Sequence, residues 1–163
     1  MNDIPAFIEE NYMLSKKNYL SKIVFDLESY TDIKGSIENY TTTWQKADKK
    51  LKSQFFNNQT SKKNYFRKRI PENILTIENP LERAKEIYTF IQQYFTWSKN
   101  YWTNKDAKIK NAFDEAIGGV GEINLSIYNS LKAANLNAKL VVLSTKDNGI
   151  PTKLYPIILP IIT

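Results

Sequence analysis

Three of the chain's five glycines, Gly118, Gly119 and Gly121, stand within four residues and directly ahead of a helical pattern. Glycine serves where backbone must turn tightly or be approached closely. After it, Ile123, Ile127 and Leu131 fall four apart, with Tyr128 and Ala134 beside them. That spacing predicts a helix over Glu122–Ala134 with an apolar face turned to the core. Glu122 falls in its first turn, where exposed backbone donors favour a carboxylate. Asn135 suits a left-handed helix stop. Ala138–Ser144 then reads as a buried strand, Asp147, Asn148 and Gly149 as a tight turn, and Lys153–Thr163 as a returning strand. Pro156 and Pro160 each remove a ladder donor, which restricts that strand to an edge or bends it.

The second strong pattern lies upstream. Asn79 and Pro80 form a helix start, and Leu81, Ala84, Ile87, Tyr88, Ile91, Tyr94 and Phe95 repeat at three and four. A helix from Pro80 to about Trp97, packed on the Glu122 helix, is expected. Trp97, Tyr101 and Trp102 follow it. A shorter helix is expected within Lys105–Ile117, with Ala107, Ile109, Ala112, Phe113 and Ala116 inward. Asp114 and Glu115 are adjacent on it and so point about 100 degrees apart, which does not make a shared acid and base site.

At Gly118–Asn148 the sequence resembles the nucleophile helix and following strand of transglutaminase-like domains, a papain-related fold. In that fold a glycine-led turn delivers a cysteine to a helix N-terminus. More narrowly, GGVGEINLSIYNSLKAANLNAKLVVLSTKDNG is similar to the version in Gram-negative envelope proteins that also carry an N-terminal β-rich domain. Glu-Ile-Asn-Leu, Leu-Ser-Thr and Asn-Gly carry the match, and Lys146 replaces an arginine. Where active relatives have Gly-Asp-Cys-Lys-Asp, this chain has Gly118, Gly119, Val120, Gly121 and Glu122. Val120 therefore takes the cysteine's place.

A thiol at a helix N-terminus is activated by the dipole and a neighbouring histidine. The chain has no Cys and no His, so thiol chemistry of that kind is excluded, and so is a serine triad built on Ser126. The glycines are not a phosphate loop, because no Gly-Lys-Ser or Gly-Lys-Thr follows. No cofactor and no metal site are expected, since disulfides, thiolate zinc sites and the commonest metal ligand are all missing.

The remaining segments set the domain plan. At 163 residues, 42% hydrophobic and 25% charged, the composition is that of an ordinary globular unit. Tyr19–Ser29 alternates as a half-buried strand, Thr31–Gly35 is a turn candidate, and Ser36–Trp44 reads as a second strand or an extended segment, a pair able to form a hairpin. Lys46–Arg69 holds nine Lys or Arg against one acid, a local +8 in a chain of net +6. Phe55, Phe56, Tyr65 and Phe66 are interleaved, and Asn57–Ser61 breaks the run into two helices. A solvated lysine-rich surface with inward aromatics is the plainer reading. The alternative is a nucleic-acid or polyanion binder through Lys62, Lys63, Arg67, Lys68 and Arg69.

The expected fold class is α+β, helices on a small antiparallel sheet, with a transglutaminase-like core implied by the resemblance and incomplete at its C-terminus. Residues 1–45 would be a β-rich tail of a preceding domain or linker, and 46–163 the degenerate transglutaminase-like domain. The expected function is non-catalytic. It is a binding or scaffolding module for a protein, peptide or cell-envelope ligand, in a cleft lined by Trp97, Trp102, Gly119, Val120, Gly121, Glu122 and Asn124. A third reading is a non-thiol hydrolase using a carboxylate such as Glu122. The resemblance implies a periplasmic or envelope location, although no targeting segment is present, and no apolar window reaches the roughly 18 residues of a membrane span. Expected partners are a protein or peptide, including the rest of a parent chain. In addition, a homodimer could form through the C-terminal edge strand, because the catalytic histidine and aspartate strands of relatives are not reached before Thr163.

Overall fold

A computed structural model describes residues 7–20, 23, 25, 27–40, 43–56, 58–101, 108–141, 143, 150 and 156. It is mixed α+β, and it divides into two units, 1–47 with 141–163, and 48–140.

In the first unit β1 (Ser29–Thr31) pairs antiparallel with β2 (Ile37–Asn39), Tyr30 opposite Glu38. The expected turn joins them. Asp32 Oδ1 accepts from the Lys34 and Ser36 amides, both at 2.8 Å, and Gly35 takes φ +82°, which glycine adopts without strain. The hairpin is shorter than expected. Of Tyr19–Ser29 only Ser29 lies in a strand among the described residues, and Ile23 and Phe25 are 86% and 92% exposed rather than half-buried. Their alternation meets no partner strand in this part of the described chain. Trp44 opens α1 (Trp44–Lys50) instead of closing a strand, because Thr43 Oγ1 accepts from the Lys46 amide and starts the helix.

The second unit is helical. After a π turn at Leu51–Phe55 and a 3-10 turn at Gln59–Ser61 come α2 (Lys63–Arg67), α3 (Glu72–Leu75) and α4 (Pro80–Tyr94). β3 (Thr96–Trp97), α5 (Ile109–Glu115), β4 (Ile117–Gly118) and α6 (Val120–Ala133) follow. Asn79 caps α4 as its sequence demands, its Oδ1 accepting from the Leu81 and Glu82 amides at 2.9 and 3.2 Å. The helix stops three residues short of Trp97. Phe95 turns extended, and Thr96 donates to Ala116 O at 2.8 Å, so the chain is captured as a strand.

β3 and β4 run parallel, Thr96 opposite Ile117 and Trp97 opposite Gly118. The helices of this unit therefore pack on one another and on a two-residue parallel ladder, where an antiparallel sheet was expected. Of the strand expected over Ala138–Ser144, the described residues 138–141 and 143 form none, and Val141 and Leu143 are exposed. The turn at Asp147–Gly149 and the strand at Lys153–Thr163 lie outside the described residues, apart from Pro156.

Phe66, Ile87, Ile91, Ile109 and Leu125 are almost fully buried at the centre of the core, each contributing about 1.5–3 kcal/mol by removal from water. Phe113 is the aromatic hub. It stacks on Tyr94 with centroids 4.4 Å apart and meets Phe66 and Phe95 edge to face at 5.2 and 5.8 Å. α4 packs against α6 as expected, and α2 and α5 pack against α6 as well.

The apolar stripe Ile123, Ile127 and Leu131 is only partly buried. The most buried side of α6 is instead Leu125, Ser126, Asn129, Ser130 and Ala133. Small side chains let α2 approach closely there. Asn129 ties the two together, its Oδ1 accepting from the Lys62 amide at 2.7 Å while its Nδ2 donates to Gln59 O and Leu125 O, both at 2.8 Å. The helix ends as Asn135 implies, with φ +59°. The Leu136 amide donates to Leu131 O at 2.9 Å and the Asn135 amide to Lys132 O at 3.2 Å, a complete Schellman stop.

Candidate functional site

The glycine turn is assembled by three elements. Ala116, left-handed at φ +54°, swings the chain out of α5 into β4, and β4 runs directly into α6. The ladder places β3 alongside, Ser98 donating to Gly118 O at 2.9 Å. The loop after β3 then folds back, so that Asn100 O accepts from the Val120 amide at 2.9 Å and from Trp97 Nε1 at 3.4 Å. One carbonyl thus joins the helix start to the tryptophan, using the two lone pairs it has.

Gly119 is fixed by close approach rather than by torsion. Its φ of −79° and ψ of 179° suit any residue, but a Cβ there would meet Asn100 O at 2.9 Å and Glu122 Oε2 at 3.0 Å. Gly118 is also tight, its Cβ position lying 3.3 Å from the Phe95 ring. Glu122 sits at the third helical position, and its Oε2 accepts from the Gly119 amide at 3.1 Å. That is the expected favourable placement of a carboxylate at a helix start. Val120 is the first helical residue and partly buried, and Gly121 is buried.

The structure thus brings Trp97, Gly119, Val120, Gly121 and Glu122 together. Asn124 is exposed one turn further along α6. Trp102 lies outside the described residues. Trp97 is 42% exposed and meets Tyr101, itself 70% exposed, edge to face at 4.9 Å. Asn100 and Tyr101 complete the surface. Tyr101 was legible only as part of an aromatic cluster, and Asn100 acts through its main chain, which no side-chain pattern reveals.

The basic segment is dispersed. Lys52 pairs with Asp48 at 2.7 Å on an exposed surface. Lys62 is held by its backbone amide on Asn129, while Lys63 and Lys68 are exposed. Arg67 Nη1 donates to Ala133 O at 3.0 Å, at the C-terminal end of α6. Arg69 lies over the Tyr65 ring, 3.5 Å from its centroid, and reaches Asp114 at 3.5 Å. Tyr65 donates to Asp114 Oδ1 at 2.6 Å. Partial burial, helped by that hydrogen bond and opposed by Arg69, pushes the phenol up to about 12. Asp114 is therefore occupied by Tyr65 and Arg69.

Among the described residues no group of three or more carboxylates is placed to hold a metal ion, and no helix is long and apolar enough to cross a membrane. In comparisons with known proteins, no family model matches the chain, and no curated protein or solved structure matches it.

Proposed function

We propose that this chain is a degenerate transglutaminase-like domain that works by binding, with the start of α6 and the Trp97–Tyr101 pair as the contact surface for a protein or peptide partner. The observation that carries the reading is the exposed aromatic pair, held beside the glycine turn by the shared Asn100 carbonyl. Exposed Trp and Tyr on a fixed backbone supply large contact area at low entropic cost, and such residues anchor many protein interfaces.

The same geometry argues for binding over turnover. The position aligned with a nucleophile is Val120, and the Gly119 and Val120 amides already donate to Glu122 and Asn100. Glu122 is engaged as a helix cap, which weighs against its use as a hydrolytic base. An envelope setting for the partner follows only from the sequence resemblance.

The test is selection of binders from a displayed peptide library on the full chain, followed by affinity measurement on variants. Trp97→Ala is expected to weaken selected peptides by tenfold or more, as loss of a central aromatic anchor does, while the paired substitution Lys62→Gln with Lys63→Gln leaves affinity unchanged. Cleavage or covalent modification of the peptides, or affinity indifferent to Trp97, would sink the reading.

A further inference from the structure

At the other end of α6, α2, α3, the first turn of α4 and the chain leaving α6 enclose a groove of about 460 Å³. Its charged lining is Arg67, Lys68, Arg83 and Glu72, three cations against one carboxylate, with Thr76 and Asn135 beside them. The size is that of a small-molecule site.

Two of the cations are held in place by backbone. Arg67 Nη1 donates to Ala133 O at 3.0 Å, and Arg83 Nη1 donates to Ile77 O at 2.7 Å. A guanidinium carries five N–H donors in a rigid fork, so each anchored arginine keeps most of its donors. Arg83 Nε is buried out of reach of solvent and, among the described residues, has no acceptor, so what Arg83 offers the groove is the remaining Nη donors of its fork. Among the described residues, Glu72 makes no ion pair with any of the three cations, so the charge of the groove is not cancelled by contact.

A structural role accounts for part of this. Arg67 satisfies a terminal carbonyl of α6, and a cation is favoured there by the helix dipole. That role uses one N–H of Arg67 and explains neither Lys68 nor Arg83 on the same groove. A compact anion with several acceptor oxygens matches the remaining donors, because phosphate oxygens accept forked guanidinium donors and an ammonium together.

We propose that this groove binds the phosphate group of a small phosphorylated molecule, a phosphomonoester or a diphosphate. Arg67 and Arg83 supply the forked donors, Lys68 supplies a point charge, and pre-positioning of the arginines reduces the cost of ordering them. A nucleic-acid strand is less well matched, since Arg69 is drawn to Tyr65 and Asp114 and does not line the groove. The site is independent of the peptide surface at the start of α6.

The test is calorimetric titration of the full chain with pyrophosphate, inorganic phosphate, sulfate and an oligonucleotide without terminal phosphates, each at low and at high ionic strength. Pyrophosphate is expected to bind saturably, with Arg83→Gln weakening it about tenfold and Lys68→Gln several-fold, in line with loss of charge-assisted hydrogen bonds. Lys68 is exposed and, among the described residues, its side chain makes no hydrogen bond, so its variant keeps the test valid if Arg83→Gln fails to fold. The pair Lys62→Gln with Lys63→Gln is expected to bind as the parent does. Equal affinity across all variants, a response that merely follows ionic strength, or tighter binding of an unphosphorylated oligonucleotide that depends on Lys62 and Lys63 would each overturn the proposal.

Discussion

The two ends of α6, about 20 Å apart for a helix of 14 residues, solve opposite problems. At its start the chain closes upon itself. Glu122 takes the Gly119 amide, Asn100 takes the Val120 amide, and there is no space for a side chain at Gly119. What remains to meet a partner is apolar and aromatic. At its end the helix carbonyls are satisfied by a Schellman turn and by Arg67, and cations gather around an open groove. A helix start with its donors used internally is a poor anion site, whereas a helix end can carry one where each arginine gives a carbonyl only part of its donor fork. The lesson is that helix polarity alone does not assign the ends, because the side chains and loops docked on each decide what it offers.

The largest expected effect comes from the link between α6 and α2. Asn129→Ala removes the acceptor of the Lys62 amide and the donor to Gln59 O, and should cost ~2–3 kcal/mol in denaturant unfolding, since two part-buried backbone groups lose their partner. Hydrogen exchange should then rise in α2 and around the groove more than in the β3–β4 ladder. A uniform rise would show that the two ends are not separable.

Gly119→Ala comes next. Its Cβ would press on the Asn100 carbonyl, a backbone atom that moves only with its loop, so a loss of ~1–3 kcal/mol is expected, as for other overpacked sites. The Trp97 indole resonance should shift, while pyrophosphate binding stays unchanged.

A smaller effect is expected for Glu122→Ala, about 1 kcal/mol in thermal or denaturant melts, the usual cost of a lost helix cap. Smallest in scale is a pH effect near α2. The Tyr65 phenol is raised from 10.0 to about 12 in the fold, so the neutral form is favoured there. Its contribution is complete below pH 10 and is lost as pH rises through about 12, a trend that Tyr65→Phe should remove from the alkaline stability curve. The same variant should leave pyrophosphate affinity intact, since Asp114 and Arg69 do not line the groove.

Local signals were legible in the sequence and long-range ones were not. Asn79 with Pro80, the Thr31–Gly35 turn and the left-handed Asn135 each act through neighbours within a few residues, and each appears where those neighbours put it. Asn129 joins partners 67 and 70 residues away, and no local pattern marks it as the fully buried polar residue it is. The Ile123–Ile127–Leu131 stripe of α6 does pack against the core, but only partly buried. Burial there follows the small and polar face that α2 reaches. For the site, the glycines and Trp97 could be found by pattern, but the Asn100 carbonyl that joins them could not. Arg83 was hidden for a similar reason, being an ordinary helical arginine until α2 brings Arg67 and Lys68 to the same groove.

The most direct measurement of the central reading is the affinity of library-selected peptides for the full chain and for Trp97→Ala, with product analysis of each mixture. Intact peptides, saturable binding, and at least a tenfold loss when the indole is removed are expected, as for a central interface anchor. Peptide turnover, or binding that survives without Trp97, would contradict it.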